Sequence, residues 1–585
     1  MNFVAALSWF WFMGFYLVQG TNWLWQCEDG YCKRDNSETE REGYSSLKIC
    51  QLMCSNYLNI WPLPTGIIRS SKELININTR NSIFFYYNAP TETLHFLKEI
   101  SKYFENQLKN KEPYSCDENL YTLKIFLSTD SAQITSNLRT NESYTLKLNS
   151  SGNEANVHIK APTVFGVRHS LETLSQILVS HVEDGSKCLS TLSSIRIADE
   201  PKYPHRGLLI DTARNYLSIG VIKRQIDGMA ASKLNVLHWH LTDSQSFPFV
   251  STRLPNMTRY GAYSPTKVYT PEDVRKLIEY AEYRGVRVLV EIDGPSHAGM
   301  GWQWGPGAGL GNLAVCVNRQ PWRSYCVQPP CGQFNPINEN LYRALGDLYS
   351  DIRDATNDWR MFHLGGDEVS ISCWNSTPEI LEYLKGQPLT EKTYLDLWGR
   401  FQRKNLQAYD TAVGHKSSMV VVWTSHLTQP EVIQEYLPND RYVIQSWEPE
   451  SENELLTNLL KLGYKLIVST KDRWYLDHGF WGTTKYYKWK TVYENPIYTP
   501  YTSAILGGEV CMWGELVDDS NIDGRVWPRA AAAAERMWSN PATSAEYAQT
   551  RFFAHRERLV ERGIKAEGVI PRWCAENEGE CQTYM

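Results

Sequence analysis

With 585 residues, 42% of them hydrophobic, the chain is long enough to build more than one domain with a full core. A net charge of −6 and the lack of any basic run leave out the electrostatic footprint of a nucleic-acid binder, so nucleic acid is not expected among its partners. Residues Phe3 to Val18 form an apolar stretch rich in Phe, Trp and Leu that ends near Gly20, which reads as a secretory signal peptide over 1–20. No Lys or Arg precedes it, so the amino terminus supplies the positive charge. No other segment approaches the ~20 apolar residues that cross a bilayer, and no stable membrane insertion is expected after removal of the leader.

Thirteen cysteines behind such a leader point to disulfides, and the odd count leaves one unpaired. In the Cys-rich segment 21–60, Cys27, Cys32, Cys50 and Cys54 are expected to pair among themselves, with three connectivities open. Cys326 with Cys331 and Cys574 with Cys581 make natural short loops. Sequons at Asn141, Asn149, Asn256 and Asn375 fit a glycosylated, secreted protein.

Over 61–200, strand-like stretches (Ser82 to Tyr87, Thr122 to Leu127, Val157 to Ile159) alternate with helix-like ones (Thr91 to Leu108, Gly166 to Ser180), which predicts a small α/β accessory domain. The prolines and charges of Ala198 to Pro204 mark a boundary. From 201 to 585, apolar strand candidates recur between helical stretches: Gly207 to Asp211, Val236 to Leu241, Val286 to Ile292, Met361 to Leu364, Met419 to Trp423, Tyr442 to Trp447, Lys465 to Ser469 and Ala504 to Cys511. That alternation predicts an α/β fold of the (β/α)8 TIM-barrel kind, in which the residues after each strand line one mouth.

Those mouth positions are polar and aromatic: Arg214; His240 and Asp243; Asp293 and His297; Asp367 and Glu368; Trp423; Trp447; Tyr475 and Asp477; Trp513 and Glu515. Several tryptophans beside carboxylates suit a pyranose ring, which stacks its C–H face on aromatics. His238 and His240 have the spacing of two metal ligands on a strand, but alternate strand residues share a face whatever their role, so neither metal nor cofactor is expected.

The segment Met361 to Val369 (MFHLGGDEV) places two adjacent acids at the exit of an apolar strand, after glycines that let the backbone turn close to a ligand. Charges that close do not both ionise easily, so one pKa rises and that group can donate a proton near neutral pH. The plainer reading is that Asp367 and Glu368 cap a following helix.

With HLGGDE, WHLTDSQSFPF (Trp239 to Phe249), EIDGPSHA (Glu291 to Ala298) and WGE (Trp513 to Glu515) in this order, the chain resembles the β-N-acetylhexosaminidases of glycoside hydrolase family 20 over nearly its whole length. The resemblance implies substrate-assisted catalysis, an exception to the two-carboxylate scheme. The 2-acetamido oxygen of the substrate attacks the anomeric carbon and an oxazolinium ion forms. Glu368 is then implied as acid and base, Asp367 as the partner of the acetamido N–H, and Tyr475 as the donor to the acetamido oxygen.

The same matching implies Trp423, Trp447 and Trp513 around the N-acetyl group and ring, and Arg214, Asp477 and Glu515 on the sugar hydroxyls. Asp243 and His297 resemble a relay behind Glu368. Exo-action follows, because buried polar groups reject sugars that lack their partners. The implied barrel disulfides are Cys316 with Cys373 and Cys326 with Cys331, which leaves Cys511 as the free thiol.

Gly301 to Cys331 resembles the lid of insect-type chitinolytic members, with Val327 and Trp489 implied on either side of the second sugar of a linear chitooligosaccharide. The residue after the valine is acidic in those members and is Gln328 here. The expectation is thus a secreted enzyme on chitooligosaccharides; the competing enzyme is a glycan-trimming hexosaminidase of the secretory pathway or lysosome. A catalytically dead sugar-binding protein is disfavoured because Asp367, Glu368 and Tyr475 are all present. The family often forms homodimers.

Overall fold

The computed structural model describes residues 24–35, 45–109, 120–183, 186–358, 360–414, 419–497 and 503–581. The leader over 1–20 lies outside the described residues. Strands Leu24–Glu28 and Tyr31–Asp35 pair antiparallel beside helix Leu47–Cys54. Of the three open connectivities, Cys27–Cys54 and Cys32–Cys50 form. This knot is tied to the far end of the chain: the Trp25 indole donates to the Glu576 carbonyl (3.0 Å) and the Cys32 amide to Glu578 (2.9 Å).

The accessory domain is an eight-stranded mixed sheet, its helices Leu94–Lys109 and Val164–Ile177 packed on each other and on the sheet. Strand Tyr144–Ser151 shows why one face is dry: Tyr144, Leu146 and Leu148 are buried while Thr145, Lys147 and Asn149 are exposed. The helix-like reading of Gly166 to Ser180 needs correcting at its end. The helix stops at Ile177, and Val179–Glu183 pairs antiparallel with Ser186–Leu192, a tertiary partner outweighing local helical pattern.

The second domain is a closed parallel barrel of β1 (His205–Asp211), β2 (Val236–Thr242), β3 (Arg287–Ile292), β4 (Met361–His363), β5 (Met419–Trp423), β6 (Tyr442–Ser446), β7 (Lys465–Val468) and β8 (Ile505–Met512). Strand alternation fills its interior in layers. Val236, Leu289, Val421, Val443, Ile467 and Leu506 form an apolar floor. Above them come His238, Glu291, His363, Gln445 and Glu509, all fully buried. Leu209, Trp423, Tyr475, Cys511 and Trp513 then form an aromatic layer at the carboxyl ends. Gly207 makes room for the charged layer, since a Cβ there would lie 2.3 Å from the Glu509 side chain.

Cys316–Cys373, Cys326–Cys331 and Cys574–Cys581 are bonded, Cys188 is also in a disulfide, and Cys511 is a buried thiol whose pKa burial pushes well up. Asn141, Asn149 and Asn375 are exposed and Asn256 is half-buried. Among the described residues no helix is long and apolar enough to cross a membrane.

A buried ion pair joins the two domains: both terminal nitrogens of Arg206, on β1, donate to Glu142 at 2.8 Å, and His169 lies 2.9 Å from the same carboxylate. Burial would raise the Glu142 pKa, and Arg206 with His169 overrides it and holds it far below the usual range. Glu142→Ala strands a buried cation, so a loss of about 3–5 kcal/mol is expected, read from the urea unfolding midpoint. Because the folded pKa is depressed, the wild-type contribution is present above the unfolded value of about 4.3 and is lost as pH falls below it. An unchanged midpoint would show that the domains dock without this pair.

Candidate active site

The catalytic loop follows β4. Gly365 (φ +64°) has to be glycine, because a Cβ would fall 1.6 Å from Asp293 Oδ1. The Gly366 amide donates to that same oxygen at 3.0 Å. Glu368 itself takes φ +52° and His297 φ +56°, strain of the kind that surrounding contacts must hold in place. The capping reading of the two acids fails. The short helix Ile371–Trp374 is capped by Ser370, whose hydroxyl accepts from the Cys373 amide.

His297 meets both acids unequally, its Nε2 being 3.3 Å from Glu368 Oε2 and 4.0 Å from Asp367 Oδ2. Its Nδ1 lies 3.3 Å from Asp243, which also binds Arg214 (2.9 Å) and His240 (2.9 Å). The raised pKa falls on Asp367, pushed up to about 6 by burial and the Glu368 charge against the pull of His297. For Glu368, His297 outweighs burial and lowers the pKa, while His297 is raised well above 6.5 against its own burial, chiefly by Asp243. Of this pair, 3.3 Å apart, the imidazole is the more basic group and Glu368 the more acidic.

Around the acids, Trp513 lies 5.9 Å from Trp423 and 6.1 Å from Tyr475, centroid to centroid. The Trp423 indole donates to Glu291 (2.8 Å) and that of half-buried Trp447 to the Thr424 carbonyl (2.8 Å). Arg214 is gripped by Asp211 (3.1 Å) and Asp243, with Trp513 under its guanidinium. Asp477 Oδ1 and Glu515 Oε2 are buried without a protein partner, as is Asp367 Oδ1, the pattern of groups that a polyhydroxylated ligand satisfies. Burial pushes Asp477 up to about 7.

At the rim, Gln328 donates to Glu515 (3.3 Å) and accepts from Gln245 (3.1 Å), and Val327 beside it is 50% exposed. Trp489 is not at the rim. It is 4% exposed, stacked on Phe552 at 4.2 Å, because Trp489, Val492 and Tyr493 at helical spacing form the buried face of helix Trp489–Tyr493. The exposed indole at the mouth is Trp481, 43% exposed, whose N–H donates to Asp477 Oδ2 at 2.9 Å. Sequence reasoning missed it and Asp211; four residues from Asp477 in a Gly- and Thr-rich loop, an unpatterned tryptophan was the available signal. A separate cleft of about 410 Å³, bordered by Lys202, Glu448, Thr470 and Asn495, contains none of these groups.

Aromatic faces beside buried carboxylate oxygens that lack a protein partner, around two adjacent acids at a barrel mouth, define a glycoside hydrolase. The catalytic-domain profile of glycosyl hydrolase family 20 matches residues 203–541, and one described as beta-acetyl hexosaminidase like matches 60–177. A chitooligosaccharidolytic beta-N-acetylglucosaminidase of Ostrinia furnacalis is 41% identical over 96% of this chain and 95% of its own. The probable beta-hexosaminidase fdl of Drosophila melanogaster is 34% identical over 97% and 92%. A Flavobacterium johnsoniae chitobiase structure superposes with TM-score 0.69 at 25% identity, over 86% of this chain and 73% of that one. The chain belongs to glycosyl hydrolase family 20, and its activity is that of a β-N-acetylhexosaminidase.

Proposed function

We propose that the protein is a secreted, exo-acting, retaining enzyme that releases terminal β-linked GlcNAc from chitooligosaccharides. The observation that carries this reading is the unequal placement of the adjacent acids. Glu368 faces the imidazole of His297 at 3.3 Å, whereas Asp367 keeps a buried oxygen free for a ligand N–H. The proton on His297 passes to Glu368 and from it to the departing glycosidic oxygen, as the substrate's acetamido oxygen bonds to the anomeric carbon. Asp367 accepts the acetamido N–H and offsets the positive charge of the oxazolinium; Tyr475, kept protonated by burial, donates to the acetamido oxygen. Water, deprotonated by Glu368, then opens the ring and restores the starting configuration.

Trp423, Trp447 and Trp513 enclose the sugar in this reading, and Arg214, Asp477 and Glu515 take its hydroxyls. Disulfides and exposed sequons support an oxidising, extracytoplasmic setting.

For the second sugar, Val327 and Trp481 replace the Val327–Trp489 pair. Trp481→Ala is expected to lower kcat/KM on chitobiose and chitotriose by the equivalent of about 1–2 kcal/mol, and much less on an aryl GlcNAc glycoside, which places no sugar there. Trp489→Ala, by contrast, should lower the unfolding free energy by about 3–5 kcal/mol without discriminating among substrates. Equal losses for Trp481→Ala on all three substrates would return the assignment to glycan trimming.

A further inference from the structure

In most (β/α)8 barrels the layer beneath the active site is filled with branched aliphatics. Here it is ionised, and it connects to the acids. His240 Nδ1 lies 2.6 Å from Glu291 and its Nε2 2.9 Å from Asp243. A neutral imidazole has one N–H, so two carboxylates in line with its two nitrogens call for the cation. Asp243 passes the contact on to His297, and His297 to Glu368.

We propose that Glu291 and His240 are positioning residues for the acid step: they complete a buried chain, Glu291–His240–Asp243–His297–Glu368, whose fixed cation weakens the hold of His297 on the proton that Glu368 delivers. This rests on the reading of Glu368 as the acid. Glu291 keeps His240 charged, and His240 stands one link nearer to His297 than Glu291 does. The pair therefore turns its positive end toward His297 and makes the acid stronger. The other Glu291 oxygen accepts the Trp423 N–H, so one carboxylate fixes both the proton chain and a wall of the sugar box.

The remaining charges around the chain are accounted for. Below it, His238 bridges Glu291 (3.1 Å) and Glu509 (2.8 Å), and Glu509 takes His205, which Arg287 contacts at 3.1 Å. His363 Nδ1 accepts the Gly365 amide and lies 3.1 Å from Glu291, and burial lowers its pKa against the pull of that carboxylate. Arg214 and its partner Asp211 flank Asp243. Asp293 also lies close to His240 and Asp243, its pKa raised well above the usual value by burial and the Asp367 charge.

The experiment compares Glu291→Gln, His240→Gln and their double variant with the wild type, taking kcat/KM against pH on aryl GlcNAc glycosides of graded phenol acidity. Glutamine at 291 can donate to His240 Nδ1, which keeps the geometry while both charges vanish. His297 then holds its proton harder. The expected result is an alkaline limb at higher pH and a loss of about ten- to a hundredfold on the least acidic phenols, with little loss on the most acidic. The double variant should lose no more than the worse single one, since both remove the same cation. His240→Gln alone suffices if Glu291→Gln fails to fold.

A uniform loss with an unmoved alkaline limb would reduce Glu291 and His240 to packing and overturn the proposal. So would a divalent metal in the purified protein whose chelation abolishes activity, because donor atoms of His238, Glu291 and His363 lie within 4.8 Å of one another. Glu368→Gln, run in parallel, separates the two questions. If it too lacks leaving-group dependence, the acid assignment has failed; if it shows that dependence and the Glu291 and His240 variants do not, only the chain has failed.

Discussion

Glu368→Gln is expected to lose of order 10²–10⁴ in rate on oligosaccharides while binding them almost as before. The amide can sit where the carboxylate sat, beside His297, but it cannot take the imidazole proton and pass it to a departing alkoxide. Alkyl leaving groups need that proton; acidic phenols need it far less, so cleavage of a dinitrophenyl glycoside should survive. The check is the slope of log kcat/KM against leaving-group pKa, which should steepen in the variant. Equal losses across the series would remove Glu368 as the acid.

Asp367→Asn should lower turnover strongly with a smaller change in affinity, because the charge it offsets appears only on the way to the oxazolinium. Its effect should also be visible in pH dependence. Asp367 must be ionised to do this, and its pKa stands at about 6 in the free pocket, so wild-type kcat/KM should fall as pH drops through that value. In the asparagine variant that acid limb should vanish and the residual rate run flat. A variant that raised KM alone, with the limb intact, would make Asp367 an ordinary binding group.

The sequence alone carried the barrel, because each strand is a short apolar run closed by turn residues, and β5 (Met419–Trp423) falls where the pattern put it. It carried the placement of the two acids at a strand exit as well, and there Ser370, not either acid, caps the helix that follows. The accessory sheet was only partly legible. Tyr144–Ser151 is polar on one face, Ser186–Leu192 mixes polar and apolar residues on both, and each finds its identity only by pairing.

What periodicity could not decide was direction and partnership. Trp489 and Trp481 stand eight residues apart, and either could have been the rim indole. Packing decided it: a tryptophan on the buried face of a helix gains more from Phe552 than from solvent, while Trp481 is held at the mouth by a hydrogen bond to Asp477. The two histidines of β2 were legible as sharing a face, and Asp243 follows His240 by three residues, but Glu291 on β3 and Glu509 on β8 are brought to them only by strand pairing and barrel closure. Likewise the adjacency of Asp367 and Glu368 dictated that one pKa would rise. Which one was decided by tertiary structure, because burial outweighs the pull of His297 at Asp367 while contact with His297 outweighs burial at Glu368, and sequence spacing encodes neither.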